Sequence, residues 1–181
     1  MKTWVALLRG VNVGGRNSLP MKRLREILAE LGFEDAATYI QSGNCVFRSE
    51  IGNAKRMGKD IANAIEAEFG FRPSVFVLPL AKFEQAIAGN SFANRAVDSK
   101  FVHLFFLAGP VPFLDKPAMR ALAAPGDEFA LAGKVFYLLT PAGIGRSKLA
   151  EKLERFLAVE MTARNLRSAI KIAELGRSLV S

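Results

Sequence analysis

The 181-residue sequence is poor in the side chains that most often carry chemistry: it has one cysteine, Cys45, and one histidine, His103. A lone cysteine closes no internal disulfide, and one histidine beside it leaves no cluster at metal-ligand spacing, so neither a disulfide framework nor a structural metal holds the chain together. No histidine stands near Cys45 in sequence to activate it, and no serine sits in the Gly-x-Ser-x-Gly context of a hydrolase. His103 lies in an apolar run and reads as a packed core residue. Long apolar stretches are missing too. The run after Met1-Lys2 is broken at Arg9, far short of a secretory signal or a membrane span. These absences point to a cytoplasmic protein with no cofactor, no metal and no membrane partner, and they set no oligomeric state.

What is present is apolar residues and positive charge. Half the chain is hydrophobic, and at this length roughly 70% of the unfolded surface can be buried, in one compact unit or two small fused ones. The formal net charge is +8. That excess attracts anionic partners and says nothing about fold.

Periodicity predicts a strand at Trp4–Leu8, then a glycine-rich loop from Gly10 to Leu19, then Pro20 and an amphipathic helix carrying Met21, Leu24, Ile27, Leu28 and Leu31, with Gly32 as its C-cap. Ala37–Gln41 and Asn44–Arg48 read as strands joined through Ser42-Gly43 in a tight hairpin. A helix over 53–69 ends at Gly70, and Pro73–Leu78 is a further strand. This β-α-β-β-α-β order is the ferredoxin-like arrangement. A connecting helix (79–88) and a polar linker (89–99) follow, and the pattern repeats: strand Phe101–Leu107, helix Lys116–Ala124, strands Glu128–Leu131 and Lys134–Leu139 about Gly133, helix Lys148–Val159 and a short strand Met161–Ala163 before the closing helix Leu166–Leu175. The two hairpins match aromatic for aromatic, Tyr39 and Phe47 about Gly43 against Phe129 and Tyr137 about Gly133. The expected fold is therefore α+β, two tandem ferredoxin-like units with antiparallel sheets, plus a connecting helix and a C-terminal helix. The expected division is 1–79, 80–99 and 100–181.

The topology has a consequence for function. The first two strands of such a unit run parallel with the third between them, so the loop after the first and the hairpin after the second emerge at the same end. Gly10–Leu19 and Gln41-Ser42-Gly43-Asn44 should converge into a polar, partly cationic pocket. Glycines let backbone N–H groups approach a ligand, and Arg9 and Arg16 supply fixed charge with bidentate donors.

With these residues in view, the sequence resembles the domain-of-unknown-function 1697 family of bacterial proteins. The resemblance rests on Leu7-Leu8-Arg9-Gly10-Val11-Asn12-Val13-Gly14-Gly15, on Tyr39-Ile40-Gln41-Ser42-Gly43-Asn44, and on the later Gly143-Ile144-Gly145-Arg146-Ser147-Lys148-Leu149 and Thr162-Ala163-Arg164-Asn165. It implies two ferredoxin-like repeats in a cytoplasmic protein and carries no activity with it. It designates Arg9, Asn12, Gly14, Gly15, Gln41, Ser42, Asn44, Arg146, Ser147, Lys148, Arg164 and Asn165 as candidate ligand-binding positions. The chain departs from the family pattern at Leu166, where an aromatic is usual, and at Ser91, where proline is usual.

Each candidate has a competing structural reading. Gly10–Asn17 approaches a phosphate-binding P-loop, but Arg16 and Asn17 stand where lysine and a metal-binding hydroxyl belong, and Pro20 delays the helix. The plain alternative is a long turn with asparagines in left-handed conformations. Ser147 and Asn165 read as helix N-caps, Arg164 as a partner for a carboxylate, and Asp127-Glu128 as a solvated turn in preference to a base or metal ligand. The expected partner is a small phosphorylated or carboxylated molecule. Two alternatives stand beside it: an enzyme stabilising charge on such a ligand, and a single-strand or RNA binder. Against the last, the strand aromatics that would stack bases reduce to Trp4 and Phe47.

Overall fold

The computed structural model describes residues 1–95 and 97–179; Ala96, in the expected linker, and residues 180–181, at the end of the expected second unit, lie outside the described residues. Among the described residues the fold is α+β, with eight strands in two four-stranded antiparallel sheets and six α-helices. Contacts divide the chain into two units, Met1–Gln85 with Ile170–Ser181, and Ala86–Ala169.

The first unit contains β1 (Lys2–Arg9), α1 (Met21–Glu30), β2 (Glu34–Tyr39), β3 (Asn44–Ser49), α2 (Ala54–Phe69) and β4 (Ser74–Pro79), with sheet order β2-β3-β1-β4. Strand β1 reads as a continuous apolar run because both of its faces are buried. Trp4, Ala6 and Leu8 join Cys45 and Phe47 in a core closed by Leu24, Ile27 and Leu28 of α1 and Met57, Ile61 and Ile65 of α2. The alternate residues Val5, Leu7 and Val46 are also buried. Helix α2 has the ends its sequence calls for: the Asn53 side chain accepts from the Arg56 amide at 3.0 Å, and Gly70 terminates it at φ 72°. β3 lies between β1 and β2 and is antiparallel to both. The loop after β1 and the hairpin after β2 thus share one end of the sheet.

The second unit repeats the scheme with β5 (Val102–Leu107), α4 (Lys116–Leu122), β6 (Glu128–Ala132), β7 (Val135–Leu139), α5 (Lys148–Leu157) and β8 (Met161–Asn165), in sheet order β6-β7-β5-β8. Phe105, Leu107, Phe136 and Leu138 pack with Met119 of α4 and Leu149, Leu153 and Leu157 of α5. A helix follows each final strand directly: α3 (Leu80–Ala88) after β4, and α6 (Leu166–Ser178) after β8. The connecting helix and the C-terminal helix therefore hold the same place in the two β-α-β-β-α-β series.

Three expectations change. The final strand of the second series runs to Asn165 and pairs along β5 from Leu107↔Met161 to His103↔Asn165, so it is not the truncated strand that Met161–Ala163 suggested. The first hairpin is not a two-residue turn: β2 ends at Tyr39, Tyr39 pairs with Asn44, and Ile40–Gly43 form a four-residue loop. Its counterpart turns through Gly133 and Lys134 alone, between paired Ala132 and Val135. The difference in loop length displaces the aromatic match. Leu7 pairs with Asn44 and Phe106 with Val135, which places Phe47 opposite Leu138 in the comparison, and Tyr137 on the other face of its strand.

Candidate functional site

The loop between β1 and α1 is a miniature hairpin fixed by its own side chains. Val11 and Leu19 are buried and anchor its two ends, while residues 13–18 are exposed. Between the anchors the chain reverses at Gly14 (φ 58°) and Gly15 (φ 72°), the two positive φ values that a mirror-image turn requires, and the Arg16 amide donates to the Val13 carbonyl at 3.0 Å. A second rung forms where the Asn12 amide donates to the Asn17 carbonyl at 3.0 Å. Asn12 and Asn17 themselves hold left-handed φ values of 54° and 52°, which asparagine tolerates better than most residues.

Asn12 is the centre of this arrangement. Its Oδ1 accepts from the Leu19 amide at 2.7 Å, and its Nδ2 donates to the carbonyls of Leu19 at 2.9 Å and Gln41 at 2.8 Å. One side chain thus closes the loop on itself and bonds it to the β2–β3 hairpin. Asn17 Nδ2 braces the opposite side by donating to the Gly10 carbonyl at 2.8 Å. The Asn12 amide is committed to backbone groups, so its contribution to any site is to hold the loop in place. Asn17 is a second bracing residue outside the candidate positions, and its place two residues past Gly14-Gly15 is the sequence signal of a left-handed turn closure.

The hairpin meets the loop through Gly43. The Leu8 amide donates to its carbonyl at 2.8 Å, and a Cβ added at Gly43 would lie 2.7 Å from both Leu8 Cβ and Val11 Cγ2. With φ at 68° as well, this position requires glycine on two separate grounds. Buried Asn44 fills the hairpin from inside, its Nδ2 donating to the Tyr39 carbonyl at 3.1 Å and to Ser42 Oγ at 3.2 Å. Ile40 is the anomaly. It holds φ 49°, a conformation costing a branched L residue about 1–2 kcal/mol, and it remains 53% exposed.

Of the candidates, then, Asn12, Gly14, Gly15, Gln41, Ser42 and Asn44 gather at one end of the first sheet, with Arg9 as the last residue of β1 beneath them. Arg9 is half-buried. Arg16 is exposed and has no ion pair or hydrogen-bond partner for its guanidinium among the described residues. This end of the sheet carries exposed Gly14, Gly15, Arg16 and Gln41, with Ser42 half-buried beside them.

The remaining candidates belong to the second unit. Ser147 caps α5, accepting from the Ala150 amide at 3.2 Å, while its hydroxyl donates to Asp127 Oδ2 at 2.9 Å. Asp127 also receives the Ala124 amide at 3.2 Å, and Glu128 pairs with Arg95, so this acidic pair serves as a bonded turn and a salt bridge. Arg146 and Lys148 flank the cap and are exposed. Arg164 Nη1 donates to Thr162 Oγ1 at 2.9 Å and to the Ala163 carbonyl at 2.7 Å, and Asn165 caps α6 through the Ser168 amide at 2.8 Å. Both N-caps are legible in sequence; the Ser147–Asp127 bond, spanning 20 residues, is not.

Trp4 and Phe47 lie in the helix-side core at 3% and 0% exposure and cannot stack on bases. Among the described residues no three histidine, cysteine, aspartate or glutamate side chains gather as a metal site would need, and no helix is long and apolar enough to cross a membrane.

A family model described as a protein of unknown function (DUF1697) matches residues 1–137. The chain belongs to the DUF1697 family. The match takes in the Gly10–Leu19 loop and the β2–β3 hairpin and stops before Arg146, Ser147, Lys148, Arg164 and Asn165. In structure, this DUF1697 chain is similar to a conserved bacterial protein, SP0830, from Streptococcus pneumoniae, at a TM-score of 0.71 and 23% identity, covering 97% of this chain and 98% of that one. That likeness bears on the fold alone. No curated protein matches in sequence.

Proposed function

We propose that the chain is a cytoplasmic binding protein whose first unit holds a small anionic ligand, phosphorylated or carboxylated, against the wall made by Gly10–Leu19 and Ile40–Asn44. The reading rests on one observation: Asn12 bonds the loop to the Gln41 carbonyl at 2.8 Å, so the Gly14 and Gly15 amides and Arg16 are presented from a fixed frame. A site built in advance avoids the cost of ordering donors when the ligand arrives. Arg9 supplies charge at the base of the wall, and Gln41 and Ser42 supply orienting groups. On the second unit, Arg146 and Lys148 beside the Ser147 cap offer the same chemistry, with Arg164 and Asn165 at the end of β8.

The finer reading of the fold belongs here as well. Each series is ferredoxin-like and the pair is an internal duplication, supported by the shared strand order and by the helix that follows each final strand. The division into 1–79, 80–99 and 100–181 is proposed on the same grounds. The charge excess is divided evenly: 14 basic and 10 acidic residues in the first unit, 11 and 7 in the second. Neither unit therefore carries more of the excess than the other.

Native mass spectrometry of the purified chain tests the proposal. A co-purifying anionic molecule should be present in the unaltered protein and lost in Arg9→Ala and Arg16→Gln. A mere drop in melting temperature in Arg9→Ala, with ligand screens blank for every form, would make the loop structural and end the reading. Affinity for RNA or single-stranded DNA falling by orders of magnitude between low and physiological salt would replace it with nucleic-acid binding.

A further inference from the structure

Two exposed aliphatic side chains stand on the loop–hairpin wall, and folding does not account for them. Ile40 adopts φ 49° and is 53% exposed; Val13, at the tip of the miniature hairpin, is 64% exposed. A branched residue in the left-handed region is strained, and here the strain is not offset by burial. Asparagine or glycine at position 40 would remove it. The two side chains belong to one frame, because Asn12, next to Val13, donates to the carbonyl of Gln41, next to Ile40. Arg16, three residues beyond Val13, is exposed with no partner for its guanidinium among the described residues.

An aliphatic pair beside an unneutralised cation suits an occupant that is both apolar and acidic. A second copy of this chain would bring another +8 and is disfavoured by charge, whereas an acidic partner is drawn to the surface. Building on the anion-binding reading above, we infer that the anion is carried on a polypeptide. An extended acidic segment of a partner protein sets its carboxylates against Arg16 and the Gly14 and Gly15 amides, and its aliphatic side chains cover Val13 and Ile40. The approach of Gly43 to Leu8 sets the backbone at position 40, and a branched residue is kept there despite the strain because its side chain is used in contact with that partner.

The test uses the full chain, a fluorescein-labelled decapeptide alternating glutamate and leucine, and a second alternating glutamate and serine, read by fluorescence anisotropy at physiological ionic strength. The glutamate–leucine peptide should bind about tenfold tighter, a difference of about 1.4 kcal/mol. Val13→Ser and Ile40→Asn should abolish that advantage, and Arg16→Gln should weaken both peptides. Ile40→Asn should also raise the melting temperature by about 2–4 °C, since it relieves strain without loss of packing. An equal affinity for the two peptides, or an Ile40→Asn protein that keeps the preference, overturns the polypeptide inference while the response to Arg16→Gln still supports anion binding. Indifference of both peptides to Arg16→Gln overturns the anion reading and this inference with it. A lowered melting temperature in Ile40→Asn shows that the side chain serves packing and removes the ground for the proposal.

Discussion

The two units share a strand order and differ where their strands are joined. In both, the amide at the end of the first strand donates to the hairpin: Leu8 to the Gly43 carbonyl at 2.8 Å, Leu107 to the Lys134 carbonyl at 3.0 Å. From that common point the first unit builds a four-residue hairpin loop, a glycine–asparagine loop tied to it by Asn12, and a strained exposed isoleucine. The second turns through two residues, and its loop after β5 runs through Pro110 and Pro112 to Phe113, which is 74% exposed. One scaffold thus carries two differently equipped ends, the usual relation between a fold and the sites grafted on it.

The sharpest way to break the comparison is to substitute the two hairpin glycines. Both Gly43 and Gly133 hold positive φ, but only Gly43 is crowded; Gly133 has nothing within 4 Å of an added Cβ. Gly133→Ala should cost about 1–2 kcal/mol, the conformational penalty alone. Gly43→Ala adds a backbone or core shift to that penalty and should cost about 3–4 kcal/mol. Denaturant midpoints measured on both variants check the ranking, and equal losses would mean that the hairpin does not dock on Leu8 and Val11 as described.

Next in size is Asn12→Ala. It removes three hydrogen bonds and leaves the amide of buried Leu19 without its acceptor, a loss of about 2–3 kcal/mol. In the second unit the comparable loss is Ser147→Ala, which deletes the cap of α5 and the donor to Asp127 and should cost about 1–2 kcal/mol. Thermal denaturation ranks the pair, and hydrogen exchange should show the Asn12 effect concentrated in residues 10–19.

These positions also mark how far the sequence reaches. The order of elements, the core face of α1 and the caps at Ser147 and Asn165 are written in local pattern, and the strand order that follows from them brings loop and hairpin to one end. Periodicity of 3.6 or 2, and a polar residue before a helix, need no knowledge of the fold. The length of the first hairpin is not local. Ile40 has the β propensity of a strand residue, yet Gly43 must reach Leu8, and that tertiary contact bends Ile40 into a left-handed turn against its preference. The longer first loop displaces the aromatic match on the second hairpin strand by one residue, so Phe47 and Tyr137 lie on opposite faces of their sheets. Asn12 was legible as a loop residue, but that its amide is spent on backbone groups follows only from the loop's closure on Leu19 and Gln41.

The smallest expected effect comes from one pair of equivalent positions. Trp4 in β1 and His103 in β5 lie the same distance before Leu8 and Leu107 and occupy corresponding places in the two sheets. Both are buried, and each has a ring nitrogen without a hydrogen-bond partner among the described residues, Nε1 in Trp4 and Nδ1 in His103. Tryptophan is indifferent to pH, whereas burial pushes the His103 imidazole below its usual value near 6.5, with a hydrogen bond involving the Phe101 backbone opposing the shift only in part. Above 6.5 both the folded and the unfolded chain hold this histidine neutral, and its packing contributes in full. As the pH falls below that point the unfolded chain takes up a proton that the folded chain resists, so stability declines until the lowered folded value is reached, with a slope no steeper than about 1.4 kcal/mol per pH unit. His103→Phe should flatten this acid limb without altering the curve above pH 7. Denaturation profiles of the two proteins between pH 5 and 8 decide it, and a limb that persists in His103→Phe assigns the acid sensitivity to the carboxylates that pair on the surface, such as Asp98 with Arg167 at 2.8 Å.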